Sequence, residues 1–356
     1  MNIKDILAKF GLYSSVSVYG NGHINNTYVT EDKKYILQEI NISVFKDPDA
    51  LMSNIESVTN YLRKQILLEG GDPERETLTI VKTLDGKNYY YHDDNNVYRV
   101  YKYVHGTKSI ETGITKKNIY EAGVGFGHFQ VLLKNYPAES LAEVIKDFHN
   151  TPSRVEAFKS AVAENSAGRA SLVKSEIDFV LENSCFAARV TDGIKDGSIP
   201  LRVTHNDTKI NNILFDEVTE KAVCVIDLDT VMPGSVLYDF GDALRIGAST
   251  AAEDETDLDK VSFDLEIFRS YVDGFLSEMK PLLTKREIEL LPFSVKLLTY
   301  ECGTRFLTDY LNGDKYFKIH RENHNLDRAR NQFKLVKDIE SKELEMIEIV
   351  KEAVLK

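Results

Sequence analysis

The chain has 356 residues, 42% of them apolar, which is enough to form the cores of about two domains or lobes. Its net charge is −12, and its Lys and Arg residues are scattered along the chain, so we expect no nucleic-acid partner. No segment has the long apolar run of a signal peptide or a membrane helix, and Cys185, Cys224 and Cys302 lack metal or disulfide spacing. These features predict a cytoplasmic protein with buried, reduced thiols and no membrane partner.

Residues 1–104 are predicted to form mainly β-hairpins, interrupted by one helix. A helix begins at Asp47-Pro48, where Asp is a favourable N-cap and Pro is favourable at the first helical position. Its predicted buried stripe is Leu51, Ile55, Val58, Leu62 and Ile66. Extended runs are predicted at 35–40, 77–83, 89–91 and 97–104, with a turn at Asp85-Gly86.

Residues 105–356 are predicted to be mainly helical. The predicted helices are 115–136, 171–188, 263–280, 287–311 and a charge-rich, amphipathic and solvent-facing stretch from 327 to the end. Short strands are predicted at 201–204, 212–215 and 223–227. A β-rich lobe (1–104) followed by a helical lobe (105–356) is the α+β arrangement of the protein-kinase-like two-lobe fold.

The chemistry is concentrated in one motif, H-x-D-x-x-x-x-N, followed by a buried strand that ends in an acid. Phosphoryl transfer needs a carboxylate beside the attacking hydroxyl, and oxygen ligands that hold Mg²⁺ against the phosphates of ATP. Asp207 is therefore the candidate base, with Asn212, Asp227 and Asp229 as candidate metal ligands. His205 would support the loop, and Lys209 would balance charge on the transferred phosphoryl group.

A second match, Asp239-Phe240-Gly241, spells the metal-binding tripeptide of protein kinases. It lies beyond Pro233-Gly234, however, and Asp227 already occupies the strand end nearest the motif. We therefore predict that Asp239 is a helix N-cap or a brace for the loop.

Nucleotide binding is predicted at a glycine-containing turn between two extended segments, where backbone N–H groups would cover the phosphates. Gln38 stands where protein kinases carry a phosphate-binding lysine, so a positive charge is missing there. Tyr101 and Tyr103, just before the hinge, would contact adenine. The residues predicted at the turn are Gly20, Gly22, His23, Asn25, Asn26 and Thr27.

Together these motifs resemble the aminoglycoside phosphotransferase and choline kinase superfamily, and more closely the bacterial N-acetylhexosamine 1-kinases. The resemblance is carried by the segments 22–25, 36–38, 204–209, 225–234, 238–242 and 305–311. It implies transfer of the γ-phosphate of ATP to the anomeric hydroxyl of N-acetylglucosamine or N-acetylgalactosamine. Gln38 agrees with that subgroup, whereas Asn206 stands where the wider superfamily has Gly.

The resemblance also implies a sugar site at Arg305, with Tyr316 beside it. An alternative for Arg305 is a salt-bridge ladder with Glu301 and Asp309, four residues away on either side. Two other functions stay open: a kinase of an amino alcohol or aminoglycoside, using Asp254, Glu255, Asp257 and Asp264 as an acidic pocket, and a metal-dependent hydrolase. Whether the protein is a monomer or a homodimer is also open.

Overall fold

The structure is a computed structural model that describes residues 3–20, 24–93 and 96–356. Two compact units are present. The first comprises Met1–Ile110, Leu132–Lys146 and Asn211–Pro233. The second comprises Glu111–Val131, Asp147–Ile210 and Gly234–Lys356. The lobe boundary near residue 104 stays a prediction, since the first unit also includes two segments beyond it.

The secondary structure is β-rich before residue 110 and mainly helical after it, as predicted. The strands are β1 Val16–Val18, β2 Asn26–Thr30, β3 Tyr35–Ile40, β4 Ile80–Val81, β5 Tyr90–Asp93, β6 Asn96–Lys102, β7 Thr107–Lys108, β8 Arg202–Thr204, β9 Ile213–Asp216, β10 Ala222–Val225 and β11 Met232–Gly234. The helices are α1 Ile3–Lys9, α2 Pro48–Leu68, α3 Pro73–Glu76, α4 Lys116–Leu132, α5 Thr151–Glu164, α6 Lys174–Asn183, α7 Arg189–Lys195, α8 Val236–Gly247, α9 Leu265–Met279, α10 Lys285–Leu311, α11 His324–Ser341 and α12 Glu343–Leu355. None of the helices in the described ranges has the length and apolar composition that a membrane span requires.

The first unit is built on an antiparallel sheet with the strand order β1-β2-β3-β6-β4, and β5 also pairs with β6. A smaller sheet has the order β10-β9-β7. Helix α2 begins as predicted: the Asp47 side chain accepts a hydrogen bond from the backbone of Ala50 at 3.0 Å, and the predicted apolar stripe is buried. The run predicted at 77–83 is shorter, because α3 precedes it and only Ile80–Val81 pairs with β6.

The second unit packs its helices around the 27-residue α10. Helix α11 was expected to face solvent, but this is wrong, because its apolar residues share a buried cluster with those of α10. They recur at helical spacing, as Leu326, Ala329, Phe333 and Val336. The helix predicted at 171–188 is also wrong in extent: α6 is flanked by short 3-10 turns, and the turn at Ser184–Phe186 leaves Cys185 exposed.

A buried ion pair in the second unit supports the loop that follows β8. His149 contacts Glu301 through Nδ1 at 2.8 Å and the backbone oxygen of Asn206 through Nε2 at 3.0 Å. Because both partners are acceptors, both ring nitrogens donate and the imidazole is charged. Burial lowers the pKa of His149, but the Glu301 carboxylate raises it further, so the net shift is upward.

We predict that this pair makes stability depend on pH. A raised pKa in the folded state stabilises the protein fully below the unfolded value of 6.5, and the contribution is lost as pH rises through the folded pKa. The urea-unfolding free energy of the wild type should therefore fall relative to that of His149→Gln as the pH is raised above 6.5. Glu301→Gln should remove the same pH-dependent part of the unfolding free energy. Parallel plots of unfolding free energy against pH for the wild type and His149→Gln would contradict the prediction.

Candidate active site

The loop after β8 contains a buried histidine side chain that contacts the loop's own backbone. The ring of His205 is fully buried and lies edge-on to Phe126 and Phe129 of α4, with centroids 5.7 and 6.1 Å apart. Its Nδ1 accepts a hydrogen bond from the backbone N–H of Asp207 at 3.3 Å. This contact holds the backbone of the candidate base, and a supporting role for His205 in catalysis stays a prediction.

Asp239 binds the backbone of the same loop. Its carboxylate accepts hydrogen bonds from the backbone N–H groups of His205 at 2.9 Å and Asn206 at 2.7 Å, and from Gln130 at 2.7 Å. The N-cap of α8 is Ser235, so the N-cap alternative for Asp239 is wrong. The brace alternative describes what Asp239 does.

Asn206 adopts the left-handed backbone conformation, with φ of 64°. Glycine enters this region without steric cost, and Asn is among the residues that tolerate it best. The geometry therefore explains how Asn can stand at a position where the superfamily has Gly. The turn also directs the N–H of Asn206 to Asp239 and its carbonyl to His149.

Asp207 and Lys209 form an ion pair at the front of this loop, with 2.8 Å between Oδ1 and Nζ. Both side chains are partly exposed, at 19% and 37%. Burial lowers the pKa of Lys209, but Asp207 raises it further, so the ammonium stays charged. The structure thus brings the candidate base and the candidate phosphoryl-balancing charge together in the second unit.

Asn212 and Asp227 belong to the first unit, at one end of the β9–β10 hairpin. The backbone carbonyl of Asn212 accepts a hydrogen bond from Ile226 at 2.9 Å, directly before Asp227. Asp227 has a left-handed backbone, with φ of 59°, which Asp tolerates. An amide and a carboxylate are the hard oxygen donors that Mg²⁺ takes together with phosphates, so the donor set fits this ion.

Asp229, the third candidate metal ligand, is buried and engaged by protein groups. Arg99 contacts Oδ1 at 2.5 Å and Oδ2 at 2.8 Å, and Asn25 donates to Oδ2 at 2.6 Å. Arg99 also donates to Gln38, whose amide donates to Thr27. The structure therefore joins the predicted nucleotide residues Asn25, Thr27 and Gln38 to Asp229 through Arg99, a residue that the motif analysis missed.

The remaining predicted nucleotide residues are placed separately. Gly20 has φ of 71° in the connection between β1 and β2, while Gly22 and His23 lie outside the described residues. Asn26 donates to Glu39 at 2.9 Å. Tyr101 is buried beneath Arg99, and Tyr103 lies edge-on to Tyr19. The backbone N–H of Tyr103 donates a hydrogen bond to the backbone oxygen of Lys34 at 2.8 Å.

Arg305 does not form the alternative salt-bridge ladder. Glu301 pairs with His149, and the Asp309 carboxylate accepts hydrogen bonds from the backbone N–H groups of residues 315–317. The Arg305 guanidinium lies 5.5 Å from the ring centroids of both Phe148 and Phe317. Tyr316 lies edge-on to Phe317, so the structure brings Arg305 and Tyr316 to the same aromatic cluster.

A second arginine, Arg154, accompanies Arg305. Burial and then the charge of Arg305 lower the pKa of Arg154, which donates to the backbone oxygen of Phe148 at 3.0 Å. Within the described ranges, the buried Nε of Arg154 makes no hydrogen bond, and no carboxylate lies within ion-pair distance of Arg305. This part of the second unit is therefore locally positive.

Comparisons with known proteins agree with this arrangement. The family described as "APH: Phosphotransferase enzyme family" matches residues 15–271. Among solved structures, an aminoglycoside phosphotransferase from Alicyclobacillus acidocaldarius is 13% identical, with a TM-score of 0.61, and the match covers 99% of this chain and 96% of that chain. An AMP-bound spectinomycin phosphotransferase is 14% identical, with a TM-score of 0.60 and coverage of 95% and 96%.

A microcompartment-associated aminopropanol kinase is 16% identical, with a TM-score of 0.59 and coverage of 97% and 98%. Likeness at this level of identity shows a shared fold, and the family match covers well over half of the chain. The chain therefore belongs to the APH phosphotransferase enzyme family and has its kinase-like fold.

Proposed function

We propose that this protein transfers the γ-phosphate of ATP to the anomeric hydroxyl of N-acetylhexosamines, giving the sugar 1-phosphate. Family membership supports phosphoryl transfer to a small molecule, and the AMP and ADP complexes of the spectinomycin phosphotransferase support an adenine nucleotide as donor. The choice of a sugar rests on the resemblance of the motifs. The observation that carries it further is the positive charge around Arg305.

Asp207 is the general base in this proposal. Its carboxylate is partly exposed, its backbone is fixed by His205, and Lys209 lies 2.8 Å away. A carboxylate suits an anomeric hydroxyl, which is more acidic than the other hydroxyls of a sugar. Lys209 can then balance charge on the phosphoryl group as Asp207 accepts the proton.

Asn212 and Asp227 would hold Mg²⁺, which neutralises charge on the ATP phosphates when bound. Asp229 is less suited to this role, because Arg99 and Asn25 already contact its oxygens. In the described ranges, no group of three or more His, Cys, Asp or Glu side chains is arranged to hold a metal. A hydrolase of the two-metal type therefore lacks support.

The charge around Arg305 distinguishes a sugar from a cationic acceptor. Arg305 and Arg154 lie together, and the nearby Glu301 is paired with His149. Guanidinium groups repel an ammonium substrate, whereas they donate hydrogen bonds to the hydroxyl and carbonyl oxygens of an N-acetylated sugar. In this proposal, the charges of Arg305 and Arg154 favour a neutral, oxygen-rich acceptor.

A second candidate is a kinase of an amino alcohol or aminoglycoside, because the aminopropanol kinase and an aminoglycoside phosphotransferase share the fold. The acidic residues that would bind such a cationic substrate already contact other groups of the protein. Asp254 contacts His324, Lys260 pairs with Glu255 and Asp257, and Asp264 caps α9. These contacts describe a braced surface and do not favour a cation pocket.

We predict that Asp207→Asn lowers kcat by about 10²–10⁴-fold, because general-base assistance acts on the transition state. The KM for ATP should change little, since the carboxylate serves the acceptor. Steady-state kinetics with N-acetylglucosamine would measure both, with the exposed Asp257→Asn as a matched control. Near wild-type turnover of Asp207→Asn would exclude Asp207 as the base.

We also predict that Asn212→Ala and Asp227→Ala each raise the Mg²⁺ concentration for half-maximal activity by at least about tenfold, because each removes an oxygen ligand. Magnesium titrations at fixed ATP would measure the shift. Asn183→Ala, on the surface side of α6, is a control for loss of an amide. If the titrations of both variants overlay that of the wild type, the metal is held elsewhere.

The position of the new phosphate tests the proposal directly. Methyl glycosides of N-acetylglucosamine lack the anomeric hydroxyl and should remain unphosphorylated, while the free sugar gives a product whose ³¹P signal couples to the anomeric proton. Choline, aminopropanol and kanamycin, assayed in parallel by ATP consumption, test the second candidate. A 6-phosphate product, or ready turnover of the methyl glycoside, would reject the 1-kinase while leaving the phosphotransferase family intact.

A further inference from the structure

The first unit contains a charge directly opposite the position from which the kinase lysine is missing. Strands β3 and β6 are antiparallel, and Gln38 is the register partner of Arg99. The Arg99 side chain is 1% exposed, and it lies beside Asp229 instead of reaching solvent. A guanidinium group this deeply buried is unfavourable unless its charge and hydrogen bonds are satisfied.

Arg99 satisfies this requirement with Asp229, a candidate metal ligand, and Gln38, a predicted nucleotide residue. It contacts both oxygens of Asp229, at 2.5 and 2.8 Å. It also donates to Oε1 of Gln38 from Nε at 3.0 Å and from Nη2 at 2.8 Å. Two donors on one oxygen fix the orientation of the Gln38 amide, so its Nε2 points to Thr27 Oγ1 at 3.1 Å.

The same network reaches the start of β2 and the end of the β9–β10 hairpin. Asn25 donates to Asp229 at 2.6 Å and accepts from the backbone of Asn41 at 3.0 Å. Asp229 lies two residues after Asp227, in a short 3-10 turn, and Asp227 is close enough for its charge to act on Arg99. One guanidinium therefore balances the acids at the strand end and orders the flank of the phosphate-binding turn.

We propose that Arg99 is a positioning residue for Mg²⁺ and nucleotide: it supplies from β6 the positive charge that a lysine at the Gln38 position supplies in protein kinases. It holds the turn containing Asp227 and Asp229, and it keeps the Gln38 amide with its N–H groups turned away from Asp229. The inference rests on the proposed phosphotransferase function and is independent of which acceptor is used. Lys209 has a separate role in the proposed function, beside Asp207 in the second unit.

The test moves the charge back to β3. Arg99→Gln removes it, and the double variant Gln38→Lys/Arg99→Gln returns it to the strand where kinases carry it. The dissociation constant of Mg·ADP, measured by isothermal titration calorimetry, is the main readout, with urea unfolding to report folding. Arg202→Gln breaks the Arg202–Glu287 pair, in which Glu287 is fully buried, Arg202 is 16% exposed and the paired atoms lie 2.7 Å apart, and it serves as the control.

Arg99→Gln is expected to weaken Mg·ADP binding by at least about tenfold, and the double variant to regain most of that loss. Arg202→Gln is expected to unfold at lower urea while binding Mg·ADP within about twofold of the wild type. A folded Arg99→Gln protein with wild-type affinity overturns the proposal. So does a folded double variant that binds no more tightly than Arg99→Gln.

If Arg99→Gln and the double variant both unfold, Arg99→Lys provides the test. It keeps the charge but cannot contact Asp229 and Gln38 together, so Mg·ADP affinity should fall about threefold to tenfold, and unchanged affinity overturns the proposal. Because ADP binding needs no acceptor, a wrong sugar assignment leaves these results unaffected. A wild-type protein that fails to bind Mg·ADP would instead refute the proposed phosphotransferase function.

Discussion

The buried charge of Arg99 is the constraint on which the organisation of the first unit depends. A guanidinium that is 1% exposed must have its partners in place, and breaking such a pair costs about 3–5 kcal/mol. Its partners come from β3 and from the turn after β10, and Asn25, just before β2, donates to the same Asp229 carboxylate. The register of β3 and β6 is therefore tied to the geometry around Asp227, because a slip of one residue would turn Arg99 to the opposite face.

The second unit also contains a buried charged group that needs hydrogen-bond partners, and here it is a carboxylate. Asp239 is buried, and its carboxylate is satisfied by backbone N–H groups that the left-handed turn at Asn206 directs toward it. The neighbours of Asp239 serve packing: Phe240 lies among the rings of α9, and a Cβ on Gly241 would lie 2.4 Å from the backbone oxygen of Ser294. The tripeptide that spells the kinase metal motif thus has a structural explanation.

Sequence reasoning succeeded where the signal is local. The cap and stripe of α2 and the strand pattern before residue 105 each depend on residues a few positions apart. It failed where tertiary partners decide, as in the burial of α11 and the partners of Glu301 and Asp309. Arg99 did leave a signal, since an arginine between apolar residues on a central strand requires a buried partner. Sequence could not say that the partner would be Asp229, 130 positions away.

The two buried networks and the candidate acceptor site around Arg305 involve different residues. The networks around Arg99 and Asp239 are buried, whereas the fold as a whole is shared with proteins that are only 12–16% identical to this chain. The residues around Arg305 come from other parts of the second unit: Phe148 before α5, Arg154 on α5 and Phe317 in the segment whose backbone Asp309 binds. An aminopropanol kinase and an aminoglycoside phosphotransferase share this fold at 16% and 13% identity, so the fold leaves the acceptor open, and the proposed choice of a neutral sugar rests on Arg305 and Arg154.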